Sequence, residues 1–212
     1  KEMKVLKERI IKVSHTDSTV MIYGETGTGK ELVAQAIHAN GERSGKRFIS
    51  QNCAAIPENL LESILFGTVR GGFTDAENRM GLFEAANGGT LFLDEINSMD
   101  NAVQAKILKA IEEQKVIRIG GVDEIPINVR IIAAMNKEPL ECVRNGDLRE
   151  DLYYRLKVVQ LSIPPLRDRK NDIIPLIDHY IGFFNKTMCK NIKGVTENVI
   201  RIFKEYQWPG NV

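Results

Sequence analysis

Residues 18–38 read STVMIYGETGTGKELVAQAIH, and this stretch decides the fold. An apolar run ends at Tyr23, glycines follow at 24, 27 and 29, and a helical pattern opens at Lys30 with Leu32, Val33, Ala36 and Ile37 on one stripe. Strand, glycine loop and helix in that order are the setting of a phosphate-binding P-loop. The glycines let the backbone curl so that successive N–H groups face one centre, and the helix N-terminus adds positive potential. Lys30 can then reach the β- and γ-phosphates. Gly24, Glu25, Thr26, Gly27, Thr28, Gly29 and Lys30 therefore predict a site for a nucleoside triphosphate. A plain glycine turn would need neither the lysine nor both flanks. Glu31 stands where a Ser or Thr commonly contacts magnesium, so metal binding must lean on another group.

Working outward, LFLDE at 91–95 is an apolar strand ending in two acids. An Asp at the carboxyl end of a strand beside a P-loop can hold Mg²⁺, and an adjacent Glu can orient or deprotonate the attacking water. Asp94 is thus the candidate metal ligand and Glu95 the candidate base. Strands are expected at 19–23, 48–51, 90–93, 129–134 and 158–161, with helical patterns between most of them. Two further stripes are Leu60, Leu61, Ile64 and Leu65, then Val103, Ile107, Leu108 and Ile111. This alternation predicts an α/β fold, a parallel five-stranded sheet sandwiched by helices. Residues 116–127, VIRIGGVDEIPI, predict a hairpin around the Gly-Gly turn. SIPPLRDRKND at 162–172 reads as a connector, because consecutive prolines join neither a helix nor a central strand. Only helical patterns follow, at 173–184 and 199–206, the second with Thr196 as a possible N-cap. A boundary near 168 divides a nucleotide-binding domain, 1–168, from an all-α piece, 169–212.

Composition narrows the function. Over 212 residues, 29 Lys and Arg against 28 Asp and Glu leave a charge of +1, so no global field draws the chain onto nucleic acid or an anionic membrane. Any polyanion must be held locally. Cys53, Cys142 and Cys189 are odd in number and lack metal-ligand spacing, which suits reduced thiols in the cytoplasm. No apolar run approaches the roughly 20 residues of a membrane helix. The missing initiator Met and the ending at WPGNV suggest a domain taken from a longer protein.

Six stretches together, GETGTGKELVAQAIH, NCAAIPENLLESILFG, GGTLFLDEI, REDLYYRL, PPLRDR and WPGNV, resemble the AAA+ ATPase domain of bacterial enhancer-binding proteins. These are the activators of sigma-54 RNA polymerase, and the resemblance runs from about Val20 to Val212. It implies ATP and Mg²⁺ as cofactors, a Walker A motif at 24–30, and a Walker B motif at Asp94 and Glu95. The family also carries Glu at the position of Glu31. Asn52 matches the asparagine that holds the catalytic glutamate until the nucleotide state changes, and Asn136 matches sensor I, with Met135 where the family usually has Thr. Arg149 and Arg155 match two arginine fingers acting on a neighbour's ATP, although spacing alone would read them as surface ion-pair partners. A homo-oligomeric ring, in the family a hexamer, follows.

The family's sigma-54 contact loop corresponds to Gly71, Gly72, Phe73, Thr74, Asp75 and Ala76. Phe73 and Thr74 keep the contact residues, while Gly72 and Asp75 depart from the Gly-Ala-Phe-Thr-Gly-Ala pattern. By resemblance the all-α piece is a truncated lid, short of the sensor II arginine, and the adenine-wrapping segment before the first helix is absent. Weakened nucleotide affinity and assembly are expected of such a fragment. DNA would be bound through a separate C-terminal domain outside this chain. Two functions stand: an ATP-hydrolysing remodeller that opens the sigma-54 RNA polymerase promoter complex, or a nucleotide-responsive regulator whose altered loop no longer remodels sigma-54.

Overall fold

The central strands are apolar on both faces, so each must be covered twice, and the order of elements supplies both covers. The computed structural model describes residues 2–71 and 77–212. Helix α1 (Glu2–Ser14) precedes β1 (Val20–Tyr23), the P-loop and α2 (Lys30–Ala39), and β2 (Phe48–Asn52) precedes α3 (Glu58–Phe66). A short pair, β3 (Gly67–Thr68) and β4 (Arg79–Met80), and α4 (Leu82–Ala85) lead to β5 (Thr90–Asp94) and α5 (Asn101–Glu113). A second short pair, β6 (Lys115–Val116) and β7 (Ile125–Pro126), precedes β8 (Arg130–Met135), α6 (Pro139–Asn145), α7 (Glu150–Leu156) and β9 (Val159–Ser162). Helices α8 (Ile173–Thr187) and α9 (Glu197–Glu205) follow the connector.

Five strands pair in parallel in the order β2-β5-β8-β1-β9. Their registers set Tyr23 beside Met135 and Asn52 beside Asp94, which gathers the P-loop, Asn52, Asp94 and Asn136 at one carboxyl edge, where open α/β sheets bind ligands. Met21, Leu91, Leu93, Ile131 and Ala133 are buried with Leu61, Leu65, Val103, Ile107 and Leu152. The alternate residues Val20, Ile22, Phe92, Ile132 and Ala134 are buried with Leu6, Ile10, Val13, Val33 and Ile37 of α1 and α2. Arg130 opens β8 in a buried position and donates to the carbonyls of Val13 (2.7 Å) and Ser14 (3.1 Å), closing the end of α1 against the sheet.

The helix stripes are narrower than the sequence predicts. Leu32 is 70% exposed and Leu60 49%. Each sits in the first turn of its helix, and the core-facing side is carried by Val33, Ala34 and Ile37 in α2 and by Leu61 and Leu65 in α3. The expected hairpin forms only as two-residue strands outside the Gly-Gly turn. Thr196 occupies the N-cap of α9 without a side-chain capping bond. Among the described residues no helix is long and apolar enough to cross a membrane.

Candidate active site

The P-loop leaves β1 at Gly24, whose N–H donates to the Met135 carbonyl of the adjacent strand (3.2 Å). Gly27 and Gly29 take φ of 76° and 95°, values open to glycine at little cost. Helix α2 has Gly29 at its N-cap and no capping side chain, so its first N–H groups are left for a ligand. Lys30 is buried, and its Nζ donates to the carbonyls of Gly24 (3.0 Å) and Glu25 (3.4 Å) across the loop. A buried ammonium resting on loop carbonyls is stationed to exchange them for phosphate oxygens.

At the end of β5, Glu95 sits at φ 55°, a left-handed conformation that costs a non-glycine residue and recurs at functional sites. Its carboxylate accepts from the Nδ2 of Asn136 (3.2 Å), while the buried Oδ1 of Asn136 has no partner among the described residues. An acceptor left open beside a carboxylate suits a water molecule that donates to both. Asn52, expected beside the glutamate, instead accepts from the N–H groups of Ala54 (3.0 Å) and Ala55 (3.1 Å). Glu95 is thus joined to Asn136 and not to Asn52.

Burial pushes the Asp94 carboxyl above its ordinary value, and the Lys30 ammonium and the Glu95 N–H pull it back. Among the described residues no three metal-ligating side chains converge. One carboxylate beside a phosphate site fits Mg²⁺, which keeps several waters and takes few protein ligands. The same shift has a stability consequence. A raised folded-state pKa means that ionising Asp94 costs the native state, a cost absent at low pH, where both states are protonated, and complete above the folded pKa. Asp94→Asn is expected to raise the nucleotide-free thermal midpoint by a few degrees at neutral pH. The gain should vanish below about pH 4. A calorimetric midpoint that falls, or a gain independent of pH, would contradict this account.

Arg149 and Arg155 make no hydrogen bond to Lys30, Asp94, Glu95 or Asn136. The Arg155 carbonyl accepts from the Thr19 hydroxyl ahead of β1 (3.0 Å), at the end of the sheet opposite the P-loop. The Arg149 guanidinium forks onto Asp151 (3.0 and 2.7 Å), which holds that carboxyl below its ordinary value. Gln104, buried in α5, accepts from the Arg149 N–H (2.9 Å) and donates to the carbonyls of Met99 and Asp147 (both 2.9 Å). It thereby ties the segment after Glu95 to the backbone of Arg149. Of the expected sigma-54 contact loop, Gly71 takes φ 85°, and Gly72, Phe73, Thr74, Asp75 and Ala76 lie outside the described residues. The stem is built by the β3–β4 pair, and Val69 and Gly67 bond Ile119 of the second insertion (3.1 and 3.0 Å).

Reading PPLRDR as a connector overlooked a set of contacts on the P-loop. Arg167 forks onto Glu25 and holds its carboxyl below the ordinary range. Arg169 donates to the Thr28 carbonyl (3.2 Å), and Asn211 to the Thr26 carbonyl (2.8 Å). The available signal was the pairing of two arginines after the prolines with an acid inside the glycine loop.

The glycine loop, the buried lysine and the acidic strand end define a P-loop NTPase domain. Residues 1–162 match the model of the sigma-54 interaction domain and 167–212 that of an AAA+ ATPase lid domain, and the chain belongs to this family. It is 52% identical over 205 residues to the transcriptional activator RocR of Bacillus subtilis, covering 97% of this chain and 44% of that protein. Against the Nif-specific regulatory protein of Klebsiella pneumoniae it is 47% identical over 211 residues, 99% of this chain and 40% of the relative. The chain thus spans less than half the length of these curated relatives. NtrX from Brucella abortus in complex with ATP superposes with a TM-score of 0.91 at 34% identity, covering 99% of this chain and 48% of that one.

Proposed function

We propose that this domain hydrolyses ATP at sites shared between neighbouring copies in a ring, the hexamer that its family resemblance implies, and that hydrolysis opens the sigma-54 RNA polymerase promoter complex. The observation that carries this is the convergence of Lys30, Asp94, Glu95 and Asn136 at one sheet edge, with Arg155 at the opposite end of the sheet and the Arg149 guanidinium held by Asp151. The N–H groups of Gly27 and Gly29 and the ammonium of Lys30 bind the triphosphate. Glu95 accepts the proton of the attacking water, and Asn136 fixes the carboxylate through its Nδ2 and the water through its Oδ1. Asp94 would hold Mg²⁺, which when bound neutralises charge developing on the phosphates. A guanidinium from the next copy completes the site.

The likeness to NtrX with ATP bound and to activators such as RocR supports this over a regulator that only senses nucleotide. The bonds between residues 67–69 and Ile119 tie the stem of the segment containing Phe73 and Thr74 to the second insertion. DNA binding by the whole regulator would come from a separate domain. Phosphate release per chain should rise with protein concentration, as shared sites require. At a sigma-54 promoter, Phe73→Ala should abolish open-complex formation while leaving turnover in place. Unchanged open-complex formation by that variant would sink the contact role of the loop, and inactivity at every concentration would sink the ATPase.

A further inference from the structure

Three consecutive carbonyls on the P-loop are each taken by a donor from beyond the sheet. Thr26 accepts from the Nδ2 of Asn211 (2.8 Å), Gly27 from the Val212 N–H (3.2 Å), and Thr28 from the Nη2 of Arg169 (3.2 Å). In a trans peptide the carbonyl and the following N–H point in opposite directions, and the described residues contain no cis bond. Fastening these carbonyls toward the connector therefore turns the next N–H groups to the other side. Thr28 spends its N–H closing a turn on the Glu25 carbonyl (3.2 Å), which leaves Gly27 and Gly29 to be aimed at a phosphate.

Glu25 brings the two ends of the helical unit together. Arg167, in the turn between β9 and α8, forks onto its carboxylate, and Asn211, beyond α9, approaches it at 3.4 Å. Asn211 is buried at φ 61°, and its Oδ1 accepts from the Leu166 N–H (2.8 Å), so one amide ties exit, entry and P-loop. The tail is itself fixed to α9, because the Trp208 indole donates to the Phe203 carbonyl (2.7 Å). At Gly27 the approach is close enough that a Cβ would collide with the Gly210 carbonyl.

We infer that Glu25, Arg167 and Asn211 are positioning residues for the phosphate cradle, passing the placement of the α8–α9 unit to the P-loop N–H groups and so setting nucleotide affinity. This rests on the ATP site proposed above. A simpler electrostatic role gives the opposite sign for one variant. If Arg167 only neutralises Glu25, then E25Q removes a negative charge beside the phosphates and tightens binding. If the pair aims the loop, E25Q weakens binding although the charge is gone.

The test titrates a fluorescent ADP analogue into the whole chain and its variants. E25Q and R167A should each weaken ADP about 3- to 30-fold. The double variant should bind no more weakly than either single one, since both break the same contact. R167K should fall between, because a compact ammonium lacks the planar fork. The nucleotide-free thermal midpoint should fall by no more than about a degree or two, since this ion pair is 35% and 37% exposed and fills no core. Tighter ADP binding by E25Q, additive losses, or losses that follow a lowered midpoint would each overturn the inference. Failure of the unaltered chain to bind ADP would instead overturn the ATP site itself.

Discussion

Turnover of ATP by the Glu95→Gln chain is expected to fall about 10²–10⁴-fold, the usual contribution of a positioned general base, while ATP binding is retained. The amide matches the carboxylate in size and can still meet Asn136, so the substitution removes basicity with little change of shape. The Glu95 backbone sets the direction of this side chain. Its left-handed φ of 55° and the bonds from the Ser98 N–H (2.9 Å) and hydroxyl (2.7 Å) to its carbonyl hold the residue at the turn between β5 and the following helical turn. Phosphate release measured beside binding of a fluorescent ATP analogue separates the two effects. Turnover within a few-fold of the unaltered chain would remove Glu95 from the base role; loss of ATP binding would make it a binding residue.

The sheet and the P-loop were legible in the sequence because both rest on short-range patterns. Val20–Tyr23 and Ile131–Met135 are continuous apolar runs, the usual appearance of a parallel strand buried on both faces. Lys30, Asp94 and Glu95 were legible because a glycine loop and a strand-end acid each carry their chemistry locally. Partnerships across the chain were less so. The bond of Glu95 to Asn136 depends on the β5–β8 pairing, which no local spacing encodes; the resemblance named Asn136 as sensor I and gave the hold on the glutamate to Asn52. The clasp of Arg167 and Asn211 on Glu25 spans 142 and 186 residues of sequence, and each end looks like an ordinary turn. Leu32 and Leu60 were overread for a related reason, since periodicity marks a face but not where along the helix its cover stops.

Arg149→Ala should lower turnover about 10³–10⁵-fold if its guanidinium stabilises charge on a neighbour's γ-phosphate. In a single chain that guanidinium is occupied by Asp151, and Gln104 holds its backbone through a bond to the Arg149 N–H. Assembly must therefore exchange a carboxylate for a phosphate, a trade of one charge-assisted fork for another. Mixing separates action in trans from a structural role. An Arg149→Ala copy keeps Glu95, and a Glu95→Gln copy keeps Arg149, so a site owned by the first and fingered by the second is complete. At equal mixing about one site in four has that arrangement in a ring of heterologous contacts. Two inactive preparations should thus regain phosphate release when combined, and more of it as protein concentration rises. No recovery at any ratio, with assembly shown intact by sedimentation, would place Arg149 outside the neighbour's site and leave its loss of activity to the broken contact with Asp151.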